Sequence, residues 1–275
     1  AGSLYIGAHN GDIGEVRIAT PVLTPDIGEL STTTTLMAPV HVLASYGLEY
    51  LPSCGELGPK LYYGNHQTSG FWYCDMDATN QVGPMQLNNV DSRRVGHYLT
   101  AIPSGWASAH VSGYPLATGY GWYGYGCGPD LYAYYPIPTN NDPNNKLPTR
   151  KLLEYSSAHP WAPYHADDLW ESAAWVTVGD DSAVLIGGRK YVAESGAFVP
   201  MILFYNPDDF AAVAAGTKAT WEPQPQPAQS YRAFSYSSNE FRGMAYDSAG
   251  QRLFVVEYVD SSVIVVHVFS VVSAS

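Results

Sequence analysis

Residues 243–254 read Gly-Met-Ala-Tyr-Asp-Ser-Ala-Gly-Gln-Arg-Leu-Phe, and this run decides the fold. A strand with small residues is followed by the hairpin-type turn Asp247-Ser248-Ala249-Gly250 and by a strand that opens on Leu253-Phe254. A leucine followed by Tyr, Ile or Phe occurs after a turn at five places, 54 to 70 residues apart: Leu4, Leu61, Leu131, Leu185 and Leu253. Repeats of this period with β-rich sequence between them predict an all-β chain that forms a five-bladed β-propeller, in one domain over residues 1–275.

Stretches of small residues precede four of the five leucines. Strands nearest a propeller axis are crowded by their neighbours, so Gly, Ala and Ser fit there although they are poor strand formers. The pattern therefore predicts that the stretches around Ala44, Gly113, Ala174 and Ala245 are the innermost strands. No such stretch precedes Leu4, so we expect a first blade without its inner strand. An upstream segment, a cleaved peptide, a neighbouring subunit or the C-terminal run after Val268 would complete it, the last being disfavoured because residues 262–269 already read as a strand of the last blade.

The charge balance excludes some partners. The formal net charge is −12 and the chain has 13 Lys and Arg residues, which argues against nucleic acid and against an anionic membrane surface as partners. The apolar run 262–269 is too short to span a bilayer. Three cysteines, Cys54, Cys74 and Cys127, match no zinc motif; a Cys54–Cys74 disulfide and three reduced thiols are the open alternatives.

One helix is predicted near residues 207–215. Asn206 is a capping residue, Pro207 occupies the first helical position, and two aspartates stand in the first turn. Gly216 is a typical residue just beyond a helix end.

Three motifs resemble segments of uncharacterised secreted bacterial β-propeller proteins. They are the run 204–210 with 216–218 and 221–223, the run 243–247 with 252–257 and 266–268, and the run 128–134. The resemblance implies a propeller and a secreted, extracellular protein, and it implies further sequence before the segment that contains Leu4. No established activity comes with the resemblance, so it assigns no catalytic residue.

Register suggests a site at one end of the predicted channel. With the four small-residue stretches aligned, the residues three positions earlier are His41, His110, Glu171 and Arg242, which become the candidate catalytic residues. His9 and His66, each five residues beyond a leucine, would return to the same end as candidate ligands of one divalent metal ion. The alternative is that each histidine only hydrogen-bonds loop backbone, and no metal-binding motif contradicts that alternative.

Aromatic residues in Gly-rich turns are candidate ligand-binding positions. Trp72, Tyr73, Trp122 and Tyr123 would offer rings that stack on sugar faces, unless they pack between blades. Two functions follow from the sequence. The first is a secreted protein that binds or cleaves an extracellular polysaccharide at a His-lined channel mouth, as a hydrolase or lyase if it is an enzyme. The second is a structural, self-assembling protein whose open blade is completed by strand addition from another copy.

Overall fold

A computed structural model describes residues 3–7, 13–17, 32–35, 47–65, 70–77, 79–121, 127–138, 146–226, 240–260 and 263–273. The described chain is mostly β-strand, with two short helices, and it confirms the all-β class. Its strands form five sheets, none of which closes on itself.

The sheets follow one another along the chain. The first has the strand order β1 (Ser3–Gly7), β2 (Ile13–Arg17), β3 (Thr32–Thr35). The second has the order β4 (Leu48–Leu51), β5 (Lys60–Asn65), β6 (Gly70–Cys74), β7 (Val82–Leu87), β11 (Lys146–Leu147). The third has the order β8 (Tyr98–Ala101), β9 (Leu116–Gly119), β10 (Leu131–Tyr134), β12 (Thr149–Leu153). The fourth has β13 (Leu169–Val178), β14 (Asp181–Val192), β15 (Ala197–Tyr205), and the fifth has β16 (Glu240–Asp247), β17 (Arg252–Asp260), β18 (Val263–Ser270).

Neighbouring strands pair antiparallel, with one exception. In the sequence, β11 lies between β10 and β12 of the third sheet, but it pairs with β7 of the second sheet. This pairing is parallel, with Lys146 opposite Gln86 and Leu147 opposite Leu87. The chain then returns to the third sheet as β12.

The two helices are α1 (Ser104–His110) and α2 (Pro207–Ala214). The prediction of α2 is confirmed: the side chain of Asn206 accepts a hydrogen bond from the Asp208 N–H at 3.0 Å, and Gly216 has a φ of +76° just beyond the helix. Helix α1 was not predicted, because it has seven residues and the residue before it, Pro103, provides no side-chain cap.

Strands β4, β8, β13 and β16 lie side by side in that order, each as the first strand of its sheet, and we call them the aligned strands. They run in the same direction. The Gly47 N–H, before β4, donates to the carbonyl of Gly96, before β8, at 3.2 Å. The Trp170 N–H, at the start of β13, donates at 2.8 Å to the carbonyl of Gly121. Gly121 lies just after β9, whose last residue pairs with Tyr98 at the start of β8.

Side chains hold the aligned strands together where no backbone ladder does. Each bond joins a side chain of one strand to a backbone group of the next. They are Ala101 N–H to Glu49 Oε2 (3.0 Å), Trp175 N–H to Thr100 Oγ1 (3.0 Å) and Tyr246 O–H to the Thr177 carbonyl (2.5 Å). These bonds give partners to edge groups that would otherwise be unpaired between sheets.

The small-residue rule holds in two sheets and is wrong in one. Ala174 and Ala245 lie on aligned strands, as their spacing predicts, and Ala44 lies outside the described residues. In the third sheet the aligned strand is β8, which contains Tyr98 and Leu99. The predicted stretch lies instead in a turn, where Gly113 has a φ of +78°, and in the second strand β9. The cause is α1, which is inserted between β8 and β9 and displaces the register by one strand.

The first sheet differs from the others in where its leucine lies. Leu61, Leu185 and Leu253 lie in the second strands of their sheets and Leu131 lies in the third, β10, whereas Leu4 lies in β1, the first strand of its sheet. Strand β1 lies next to the aligned strand β4.

All three cysteines are free thiols, so the Cys54–Cys74 disulfide does not form and the reduced alternative stands. Cys54 interacts with Tyr62, and Cys74 interacts with the next residue, Tyr63. Successive residues of a strand point to opposite faces of its sheet, so the two thiols face apart. Within the described ranges, neither helix has the length or the apolar character needed to cross a membrane.

Candidate functional site

The aligned strands begin at a common end of the molecule, which we call the upper end. The connection 154–168 between β12 and β13 and the turn of the β14–β15 hairpin lie there, because antiparallel strands alternate in direction. The loop 122–126 is outside the described residues, but the carbonyls that flank it, of Gly121 and Cys127, accept bonds from Trp170 (2.8 Å) and Trp161 (2.8 Å) at this end.

Glu171 and Arg242 occupy equivalent backbone positions at the upper end. In β13 the pairing register shifts between Trp170 and Ser172, so Glu171 is the bulged residue. In β16 the register shifts between Phe241 and Gly243, so Arg242 is the bulged residue there. Bulges re-aim a side chain and occur often beside binding sites. The side chain of Glu171 is half-buried.

The placement of His110 needs correction. It is the last residue of α1, at the opposite, lower end, where its exposed ring packs on Trp106 with 4.9 Å between centroids. The residue before the aligned strand β8 is instead His97. Its ring is buried, and the ring centroids of His97 and Tyr120 are 4.2 Å apart. Sequence reasoning missed His97 because it aligned the sheet on Gly113 and not on Thr100.

Several candidate residues cannot be placed. His9, His41 and His66, with Trp122 and Tyr123, lie outside the described residues, and so does the side chain of Arg242. Across the described ranges, no group of three or more His, Cys, Asp and Glu side chains could hold a metal ion.

Trp72 and Tyr73 lie in β6 of the second sheet. Trp72 is buried and stacks on Tyr63, with ring centroids 5.8 Å apart and planes 6° apart. A side chain added at Gly83 would lie within 3 Å of the Trp72 indole, so the ring also packs on backbone. Tyr73 is half-buried and packs on Tyr62 with centroids 5.7 Å apart. Trp72 therefore packs within the protein and offers no open face to a sugar.

A hollow of about 320 Å³ opens at the upper end beside the β14–β15 hairpin. Its walls combine aromatic, charged and apolar side chains, from Pro163, Tyr164, His165, Lys190, Tyr191, Val192, Ala193 and Glu194. This volume is at the lower end of the range for small-molecule sites.

Asp168 is the buried carboxylate that shapes the hollow. One oxygen accepts bonds from Lys190 Nζ (2.8 Å) and the Tyr191 N–H (3.0 Å), and the other accepts from the His165 N–H (2.9 Å). The carboxylate thereby ties the connection 154–168 to β14. The side chain of Asp168 is almost fully buried, and that of Lys190 keeps 13% of its surface exposed toward the hollow. The three bonds to the carboxylate hold the pair in one geometry.

Rings line one side of the hollow. His165 packs on Tyr191 with centroids 4.5 Å apart, and Tyr191 packs edge-on against Phe198 at 5.3 Å. The Nδ1 atom of His165 accepts the Asp167 N–H at 3.2 Å, so the neutral ring has Nε2–H as its donor. Burial raises the pKa of the Tyr164 hydroxyl, which stays protonated at neutral pH.

A buried ion pair between Arg94 and Asp130 stabilises the upper end. Arg94 donates to both carboxylate oxygens of Asp130, at 2.7 and 2.8 Å, and to the carbonyl of Tyr155 at 2.5 Å. Burial works against the charge of Arg94, but Asp130, Tyr132 and Glu154 together outweigh it and raise the pKa of the guanidinium. The pair fixes Asp130 at the start of β10 and Tyr155 at the start of the connection 154–168.

Comparison of the chain with protein-family models, with curated proteins and with solved structures found no match in any of the three. The site is therefore interpreted from its geometry alone. It offers a concave surface with stacked rings, one ring N–H donor and a fixed lysine–carboxylate pair. Such a surface suits a polar ligand with flat apolar faces better than it suits an ion.

Proposed function

We propose that the chain is a five-bladed β-propeller whose upper end binds an extracellular glycan chain. The aligned strands support the propeller: four consecutive sheets contribute their first strands to one parallel array, each bonded to the next by side chains. Radial repetition of short sheets around an axis has this arrangement. The first sheet is the remaining blade of the five, because its strand β1 lies next to β4.

The hollow at the upper end is the observation that carries the proposal. A sugar ring has an apolar face, which stacks on aromatic rings, and a rim of hydroxyls, which need donors and acceptors. Tyr191 and His165 supply the rings, His165 Nε2 supplies a donor, and Glu194 supplies an acceptor at the rim. Asp168 holds these groups in place before a ligand arrives, which lowers the ordering cost of binding.

The proposal is restricted to binding. Glycoside cleavage needs two carboxyl groups at a set separation. At the upper ends of the aligned strands the structure describes the side chain of Glu171, whereas the side chain of Glu240, the first residue of β16, lies outside the described residues. Glu171 is proposed as a polar contact of the ligand at the channel mouth, because it is the bulged residue of β13 and a bulge re-aims its side chain; the backbone of Arg242 occupies the equivalent position in β16.

Calorimetric titration with soluble glycans tests the proposal. The probes are cellohexaose, chitohexaose, laminarihexaose and polygalacturonate, with reducing-end assays in parallel to detect cleavage. We expect one of them to bind, and we expect Tyr191→Ala to weaken its binding about five-fold or more, since one lost ring contact is worth about 1 kcal/mol or more.

Tyr114→Ala is the matched control. Tyr114 is a half-buried tyrosine at the lower end, where β9 begins, so its loss should leave glycan affinity unchanged. Equal loss in both variants would point to a general folding defect, and no binding by the wild-type protein to any probe would end the proposal.

A second candidate, self-assembly by strand addition, is favoured by the position of Leu4 in β1. The other described sheets place a different strand before their leucine strand, and the first sheet does not. A strand from another copy added to β1 would complete that sheet. Analytical ultracentrifugation tests this candidate: strand addition predicts a concentration-dependent oligomer, and a monomer at all concentrations would rule it out.

A further inference from the structure

Trp221 is an exposed tryptophan that no part of the preceding site includes. Its side chain keeps 38% of its surface open to solvent. The other tryptophans of the described chain are buried or half-buried: Trp72, Trp106, Trp161, Trp170 and Trp175. Single exposed apolar residues are common on protein surfaces, so the fixed position of the Trp221 ring, and not its exposure alone, is the observation that points to a ligand.

The indole of Trp221 is held rigidly. The ring of His159 stacks on one face of it, with centroids 4.0 Å apart and planes 5° apart. His159 is itself fixed by a tight turn in which its N–H and carbonyl exchange bonds with Ser156, at 3.0 and 3.2 Å. The indole is therefore a preformed platform and not a freely rotating side chain.

The backbone around Trp221 is anchored to the third sheet. The carbonyl of Thr220 accepts the Glu154 N–H at 3.0 Å, and the carbonyl of Pro223 accepts the Tyr155 hydroxyl at 2.6 Å. The Gln224 side chain donates to the carbonyl of Trp221 itself at 3.1 Å. The segment is rich in proline, which keeps it extended across the surface.

The platform and the hollow share one connection. His159 and His165 both lie in the connection 154–168 at the upper end, six positions apart, so their Cα atoms are at most roughly 20 Å apart. A chain of several sugar rings could therefore contact both places at once.

We infer that the Trp221–His159 pair is a second stacking subsite for the same glycan chain, which extends from the hollow along the connection 154–168. The inference rests on the proposed function, because it assigns a second contact to the ligand of the hollow. It predicts a dependence on ligand length. A disaccharide fills the hollow alone, whereas a hexasaccharide reaches Trp221.

The test compares the disaccharide and the hexasaccharide of whichever probe series binds, by calorimetry on the full chain. Trp221→Ala should weaken hexasaccharide binding about ten-fold and leave disaccharide binding unchanged, whereas Tyr191→Ala should weaken both. His159→Ala should reproduce part of the Trp221→Ala effect. His110→Ala is its control, because His110 also packs on a tryptophan, Trp106, at the lower end, with the ring planes 47° apart.

Fluorescence gives an independent readout. In a Trp122→Phe background, acrylamide should quench Trp221 first, since it is the exposed tryptophan of the described chain. The hexasaccharide should protect it and the disaccharide should not. Thermal unfolding of Trp221→Phe and Trp221→Ala verifies that both variants fold.

The outcomes separate the two proposals. If the wild-type protein binds both ligands and Trp221→Ala binds them equally well, the subsite inference is overturned while the proposed function stands. If the wild-type protein binds neither ligand, the proposed function fails, and the inference fails with it.

Discussion

The protonation of Glu49 should make the stability of the fold depend on pH. Its oxygens accept hydrogen bonds from the N–H groups of Tyr50 at 2.9 Å and of Ala101 at 3.0 Å. The bond from Ala101 joins the third sheet to the second. Desolvation raises the pKa of Glu49 from 4.5 to about 7, although both N–H groups oppose the shift. The raised pKa means that the folded protein holds the proton more tightly than the unfolded chain does.

The sign and the size of the effect follow from linkage. Stability from a raised pKa is fully present below pH 4.5 and is lost as the pH rises through about 7. A pKa difference of one unit corresponds to about 1.4 kcal/mol. The free energy of unfolding therefore falls by at most roughly 3 kcal/mol as the pH rises from 4.5 through about 7. Glu49 is half-buried, so solvent screening reduces this upper bound.

The variant Glu49→Gln isolates the contribution of Glu49 ionisation to the pH dependence of stability. The amide cannot ionise, so the variant should lose this part of the pH dependence. Its NH₂ group cannot accept a hydrogen bond, so one N–H loses its partner and the variant should be about 1–3 kcal/mol less stable than wild type at pH 4.5. The difference should shrink or reverse by pH 8.

Urea unfolding followed by tryptophan fluorescence, at intervals from pH 4.5 to 8, measures these free energies. Glu56→Gln is the control, an exposed glutamate in the turn that follows β4. If the curves of wild type and Glu49→Gln run parallel across the whole range, Glu49 does not titrate in this window and the reasoning is refuted.

Three further variants test other contacts. Thr100→Val removes the acceptor of the Trp175 N–H and should lower the free energy of unfolding by about 1–3 kcal/mol, whereas Thr100→Ser should restore it. Asp168→Asn leaves Lys190 buried without its counter-charge and should cost about 3 kcal/mol in urea unfolding, with loss of glycan binding at the hollow. Asn206→Ala removes the cap of α2 and should cost about 1 kcal/mol, read from the unfolding midpoint; an unchanged midpoint would contradict the capping role.

Features governed by local rules were predictable from the sequence. Helix α2 obeys capping and turn preferences within eleven residues, from Asn206 to Gly216, and it forms as predicted. The equivalence of Glu171 and Arg242 also follows from sequence, because each stands three residues before an alanine of an aligned strand.

Features that depend on distant contacts were not predictable. The hollow exists because Asp168 meets Lys190, 22 positions away, and the platform exists because His159 meets Trp221. No periodicity in the sequence indicates either contact. The error on His110 has a different origin: a helix inserted between two strands moved the small-residue stretch to the second strand, and a single sequence gives no sign of that shift.

Strand β11 has a consequence for how the molecule opens. Lys146 and Leu147 belong in sequence to the third sheet but complete the second, where the Asn88 N–H also bonds to the Leu147 carbonyl at 3.0 Å. The second and third sheets are therefore interlocked and should exchange their amide hydrogens as one cooperative unit. The fourth and fifth sheets are each one contiguous segment and should open separately from that unit, so deuterium uptake should divide the chain between β12 and β13 and not at the sheet boundary after β7.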